Sequence, residues 1–220
     1  MINFNIKNRL GFTMMELVFV IVVLGTLATL VMPRLDRDIR QEAADNILSA
    51  IRYTQHLALN DDKHAFNDPN WHRKLWTIRF SNADYTYTVF SDTSQAGGIN
   101  TNEIARDPAN GKRMDGTDAN IGANDSPNVF LGDKYDINAI RLTANTCTTP
   151  NNSVSLSISF DILGRPHRGS VGTANTNDLR TYVQADCSFE FVSPAFTGNP
   201  IIIDIQRETG YATIRNQIDS

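Results

Sequence analysis

The chain is poor in the residues and motifs that carry common enzyme chemistry. It has two cysteines, Cys147 and Cys187. Neither belongs to a C-x-x-C pair, so a dithiol redox centre or a cysteine-built zinc site has no support. The four histidines are His56, His64, His72 and His167, and His64 and His72 lack the i, i+4 spacing of a zinc helix. No G-x-S-x-G, H-E-x-x-H or phosphate-loop glycine motif occurs. Asp161, His167 and Ser170 lie close together along the chain, but closeness in sequence does not make a triad. A basic surplus is also missing. Lys and Arg number 20 against 24 Asp and Glu, for a net charge of −4 and a pI near 5.5. Phosphate backbones need clustered cations, so no nucleic-acid partner is expected. These absences point away from catalysis, and no enzyme activity or resident cofactor is expected.

What is present is concentrated at the N-terminus. Residues 12–32 read FTMMELVFVIVVLGTLATLVM, with Glu16 as the one charge. As a helix this stretch is about 31 Å long, which matches a bilayer core. Lys7 and Arg9 precede it without any acid. By the positive-inside rule the expected placement is a single-pass membrane protein, its N-terminus cytoplasmic and its C-terminal body outside. The residues after the run, Val31, Met32, Pro33 and Arg34, offer no small-residue cleavage site. The small residue Gly11 lies before it. A cut there removes a polar leader and creates an α-amino group on Phe12, four residues from Glu16. That amine is a natural partner for a carboxylate that is costly in apolar surroundings. The alternative is a glutamate tolerated near the interface by snorkelling.

The segment KNRLGFTMMELVFVIVVLGTLATLVMP resembles the leader and N-terminal helix of type IV prepilins and type II secretion pseudopilins. The resemblance covers about 27 residues. It implies cleavage after Gly11 by a prepilin peptidase, N-methylation of Phe12 and an assembly role for Glu16. It also implies helix loosening at Gly25 and Pro33. Met14 and Met15 replace the commoner Leu and Ile pair of the family. The implied partners are the prepilin peptidase, other pilins or pseudopilins, the membrane and an inner-membrane assembly platform. The membrane it implies is the bacterial inner one. The implied fold is α+β, with a long hydrophobic N-terminal helix packed on an antiparallel β-sheet. The implied function is a minor pseudopilin or pilin subunit of a periplasmic filament. The alternative is a DNA-uptake or surface-binding minor pilin that captures a ligand.

Four regions follow from this. Residues 1–11 form the leader, 12–33 the membrane-spanning helix, 34–60 its amphipathic continuation and 61–220 a β-rich body. Leu35, Ile39, Ala43, Ile47, Ala50, Ile51, Thr54, Leu57 and Ala58 recur at three- and four-residue spacing. Pro33 predicts a kink, and Asn60, Asp61 and Asp62 end the helix. Strands are expected at 75–80, 85–91, 153–160, 187–192, 201–206 and 211–215. SISFDILGRP and IIIDIQRETGYATI are similar to paired motifs of H-type minor pseudopilins and FimT-like pilins. Phe160 and Gly164 fit the first of these, Thr209 and Gly210 the second.

The two cysteines lie in the part expected to be exported, so a disulfide is expected. It closes a loop of roughly 40 residues, worth about 4 kcal/mol in the chain-entropy model. The alternative is two separate buried thiols. Residues 92–128 are rich in Gly, Asn, Asp, Ser and Thr and predict a long loop. Its Asp107, Asp115, Asp118, Asn120, Asn124 and Asp125 offer oxygens for calcium, although Lys112 and Arg113 interrupt them. The alternative is a solvated polar loop. Trp71 and Trp76 flank His72, Arg73 and Lys74, which is either a stacking patch for single strands or a tryptophan anchor for the sheet.

Overall fold

The computed structural model describes residues 13–65, 67–68, 70–143, 146–148, 156–168, 181–196 and 199–216, with the side chains of 29–38 left undescribed. Helix α1 (Met14–Asn60) begins on a reciprocal cap. The Thr13 hydroxyl accepts from the Glu16 N–H, and the Glu16 carboxylate accepts from the Thr13 N–H. This T-x-x-E pattern satisfies two donors that a helix start leaves open. The backbone stays helical through Pro33 and ends at Asn60, ahead of Asp61.

From residue 43 onward, one face of α1 is buried. Ala43, Ala44, Ile47, Ala50, Ile51, Thr54 and Ala58 are each at most 3% exposed. Alanine at alternate turns lets the sheets approach closely, while Ile47 and Ile51 fill the space between them.

The β region forms two four-stranded antiparallel sheets. The first has the order β2-β1-β4-β5, from β1 (Trp76–Ser81), β2 (Thr86–Phe90), β4 (Ser157–Phe160) and β5 (Pro166–Arg168). The second has the order β3-β6-β7-β8, from β3 (Ala139–Leu142), β6 (Cys187–Val192), β7 (Ile201–Ile205) and β8 (Ala212–Ile214). A one-turn helix α2 (Leu131–Tyr135) precedes β3. Helix α1 packs on β1 and β4 of the first sheet and on β7 and β8 of the second.

Several contacts tie the sheets together. Phe80 of β1 meets Phe189 and Phe191 of β6, with ring centroids 5.4 and 5.2 Å apart. The Asn82 side chain acts as a spare peptide on the edge of β3. It donates to the Ile140 carbonyl at 2.6 Å and accepts from the Ile140 N–H at 2.8 Å. Gly164 and Gly210 meet backbone to backbone. Both have positive φ, and a Cβ on Gly210 would run into the Gly164 oxygen. Gln55 of α1 seals this point by donating to the carbonyls of Gly164 (3.0 Å) and Thr209 (2.7 Å).

Two expectations are corrected. The body is α+β, but its strands form two sheets, not the single antiparallel sheet expected. Among the described residues, no helix is long and apolar enough to cross a membrane. That overturns the span expected over 12–33 and the single-pass inner-membrane placement built on it. The apolar residues whose side chains are described, Met14–Ala28, make a helix of about 22 Å, against the roughly 30 Å of a hydrocarbon core.

The region 92–128 also differs from the open loop expected. Isolated bridges pair Phe90 with Ile104, Arg106 with Arg113 and Arg113 with Asp125. The segment lies along β2, with Ala105 N–H bonded to the Val89 carbonyl and Val89 N–H bonded to the Met114 carbonyl. All five residues of β2 are buried in consequence.

Candidate functional site

The most unusual surface of the molecule is the first part of α1. Every described residue from Thr13 to Ala28 is exposed. The large apolar side chains range from 39% exposed at Val23 to 88% at Met14. They surround the helix instead of forming one stripe: Leu17, Val18, Phe19, Val20, Ile21, Val22, Val23 and Leu24 are consecutive. A helix that is apolar on all sides needs cover on all sides. Contiguous exposed apolar area of this kind marks an interaction surface. Gly25 leaves its flank open: apart from its neighbours and its own helix backbone, no atom lies within 4 Å of where a Cβ would stand. Thr26 turns its hydroxyl back onto the Val23 carbonyl at 2.9 Å, so it adds no unpaired donor to the apolar surface.

Glu16 sits at the start of this surface. Its carboxylate takes both the Thr13 N–H and the Thr13 hydroxyl, each at 3.0 Å. Gly11 and Phe12, named for cleavage and methylation, lie outside the described residues. The partner found for Glu16 is therefore Thr13, which the expectation built on Glu16 alone left out. The T-x-x-E spacing is the signal that finds it. Pro33 lies within the helical backbone of α1.

Cys147 and Cys187 are joined in a disulfide. Both are fully buried, and the bond fixes the segment after β3 to the start of β6. The guanidinium of Arg168 on β5 donates to the Cys147 carbonyl at 2.8 Å, which carries the tie across to the first sheet.

Asp118, Asn120 and Asn124 are exposed, while most of the other candidate groups are engaged in structure. Asp107 is buried and accepts from Ser126, Asn110 and Asn128 side chains and from the Ala109 N–H. Burial raises its carboxyl, and these donors outweigh that and hold it below its ordinary value. Asp125 pairs with Arg113 at 2.7 Å and accepts from the Gly122 N–H. Asp115 takes the Thr117 N–H and hydroxyl. Among the described residues, no three or more His, Cys, Asp or Glu come together as a metal site. Glu103, which no sequence motif marks, is held at about 2. Burial raises it, but the backbone N–H groups and side chains of Ser94 and Asn100 lower it further.

The aromatic and basic cluster is half-buried and tied to the body. Trp76 donates its indole N–H to Asp61 at 2.9 Å, Lys63 pairs with Asp61 at 2.6 Å and Lys74 pairs with Asp68 at 2.7 Å. His167 lies 3.5 Å from the Asp161 carboxylate, which also holds Arg165 at 2.7 Å. Burial raises Asp161, but His167 and Arg165 bring it down to about 2. Ser170, the third member of the conceivable triad, lies outside the described residues.

Comparisons with family models, curated proteins and solved structures found no match. The functional reading therefore rests on the sequence and on this geometry.

Proposed function

We propose that this chain is a filament subunit of the minor pseudopilin or minor pilin kind, serving a type II secretion system or a type IV pilus. The observation that carries the proposal is the first part of α1, a helix exposed and apolar on all sides and continuous with a helix that anchors a folded body. In an assembly, the apolar parts of many α1 helices pack together and the two-sheet bodies face outward. Burying one large apolar side chain contributes about 1.5–3 kcal/mol, so a few such side chains per copy suffice to drive association. The role is mechanical, and the body supplies no step of chemistry.

In this reading a prepilin peptidase cuts after Gly11 and methylates the new amine of Phe12. Glu16, one helical turn further on, lies within reach of that amine in the same copy or a neighbouring one. The Thr13 cap holds the carboxylate at the helix start, where such an amine would be met. Mass spectrometry of the N-terminal peptide from the native host tests the processing. The expected peptide begins at Phe12 and carries one methyl group. A chain that retains Met1, or an unmethylated start elsewhere, would remove the family reading.

A further inference from the structure

Just past the end of α1 the body has an open cavity of about 100 Å³. Its apolar walls are Trp71, Leu75, Ile162 and Leu163. Ile162 and Leu163 stand on the turn between β4 and β5 and are 40% and 66% exposed. Asp161 builds this turn by accepting from the N–H groups of Leu163 and Arg165, each at 2.9 Å. The turn thus holds two large apolar side chains toward solvent at the cavity mouth. Trp71 is half-buried and meets the His64 ring edge-on, with centroids 4.7 Å apart. Along the helix axis, Ala28 and Asn60 are about 48 Å apart, so the cavity lies far from the apolar start of α1.

Asp62, Lys63, Asp161 and Arg165 also line the cavity, and they differ in how they are used. Lys63 pairs with Asp61 at 2.6 Å, and Arg165 pairs with Asp161 at 2.7 Å. Asp161 is buried, and the Arg165 guanidinium lies 5.7 Å from the centre of the Tyr182 ring. Asp62 is exposed, and its carboxylate accepts only the His64 N–H, at 2.8 Å. Among the described residues, no cation lies within ion-pair distance of Asp62.

We infer that this cavity is a docking site for a lysine or arginine side chain on an extended, basic segment of a partner protein. Such a side chain has an aliphatic stem and a cationic head, and it buries the stem while the head stays at the surface. The stem packs on Leu75, Ile162 and Leu163, and the head meets the Asp62 carboxylate. The indole face of Trp71 attracts the same cation. An acidic guest meets like charge at Asp62, and both cations of the site already hold carboxylates. A neutral apolar guest leaves the Asp62 charge unused. The volume suits one long side chain, well below the several hundred Å³ of a drug-sized ligand pocket. A chain that continues past the cavity covers Ile162 and Leu163, which a small free amine leaves bare. This site goes beyond the filament reading and does not depend on how the start of α1 is used.

The test uses the full chain in nonionic detergent, isotope-labelled at its two tryptophans, Trp71 and Trp76. Their indole N–H signals are told apart with Trp71→Phe and followed during titration. The probes are n-butylamine and three capped nine-residue peptides on one Gly/Ser frame, with Lys-Leu, Gln-Leu or Glu-Leu at the centre. The Lys peptide is expected to shift the Trp71 signal to saturation and to bind about fivefold tighter than the Gln peptide, with the Glu peptide weakest. Equal binding of the Lys and Gln peptides, tightest binding of the Glu peptide, or no shift at Trp71 would overturn the proposal. Binding of n-butylamine as tight as that of the Lys peptide would make the guest a small amine and overturn the partner segment. As a second arm, Leu163→Ser is expected to weaken the Lys peptide about threefold, with an unchanged melt because Leu163 is mostly exposed. Asp62→Lys is expected to reverse the order of the Lys and Glu peptides. An Asp62→Lys chain that melts as wild type does and keeps the wild-type order contradicts the charge pairing. None of these outcomes bears on sedimentation of filaments, so the filament reading stands or falls separately.

Discussion

Glu16→Gln is expected to lower incorporation into sheared assemblies by about a hundredfold or more, with cleavage after Gly11 unchanged. Glutamine keeps the cap, because its amide oxygen still accepts from the Thr13 N–H in a T-x-x-Q box. What it loses is charge. If Glu16 serves only to start α1, the substitution is silent. If the carboxylate neutralises the Phe12 amine inside a bundle of apolar helices, the amine is left as an uncompensated charge in low dielectric. Thr13→Ala is the complementary variant. It removes the hydroxyl side of the cap and leaves the charge, so it should weaken the helix start and spare incorporation. Equal incorporation of Glu16→Gln and wild type would leave Glu16 as a cap alone.

Removing the disulfide is the second large effect. Cys147→Ala with Cys187→Ala should cost about 4 kcal/mol, since the bond closes a 40-residue separation. For a chain of this size, that corresponds to a melting temperature lower by roughly 8–16 °C. Both sulfurs are fully buried and filled around by core, so the two alanines add a small packing loss to the loop entropy. A melting temperature within a degree or two of wild type would show that the Asn82 clasp and the glycine contact hold the second sheet in place by themselves.

Much of this architecture is visible in the sequence, for reasons that differ by element. Helix α1 from Ala43 to Ala58 announces itself because its buried residues recur at three and four. Strand β6 is found where alternation predicts it, at Cys187–Val192. The Phe160–Gly164 and Thr209–Gly210 motifs come together because each glycine has positive φ and each removes a side chain from the point where the sheets touch. Other elements leave little local trace. Strand β3, Ala139–Leu142, has one edge on β6 and the other held at Ile140 by Asn82, which is 58 positions away. Strand β5 opens on Pro166, a residue that argues against a strand unless the position lies at an edge.

Alternation predicts one buried face for strand β4, with Ile158 and Phe160 on it, and all four of its residues are buried. Ser159 faces the other side and meets the Thr77 hydroxyl at 2.7 Å, so a buried hydroxyl pair stands where alternation suggests a wet face. The polar stretch 92–128 is mostly exposed, as its composition suggests, but Glu103, Asp107 and Asp125 within it are buried and take backbone and side-chain donors inside the body. Hydropathy over residues 12–33 predicts a membrane span, and among the described residues no helix is long and apolar enough to cross a membrane.

The central claim is that the exposed start of α1 is an assembly surface. Co-sedimentation in the native host measures it, comparing wild type with the variant Leu17→Lys, Ile21→Lys and Leu24→Lys. All three side chains are more than half exposed, so the body of the variant should melt as wild type does. Replacing three apolar side chains by cations on each copy should lower its share in the sedimented filaments by at least about a thousandfold. Wild type is expected in the pellet and the variant in the unassembled fraction. Equal sedimentation of the two, or a wild-type chain that never pellets with filaments, would contradict the account.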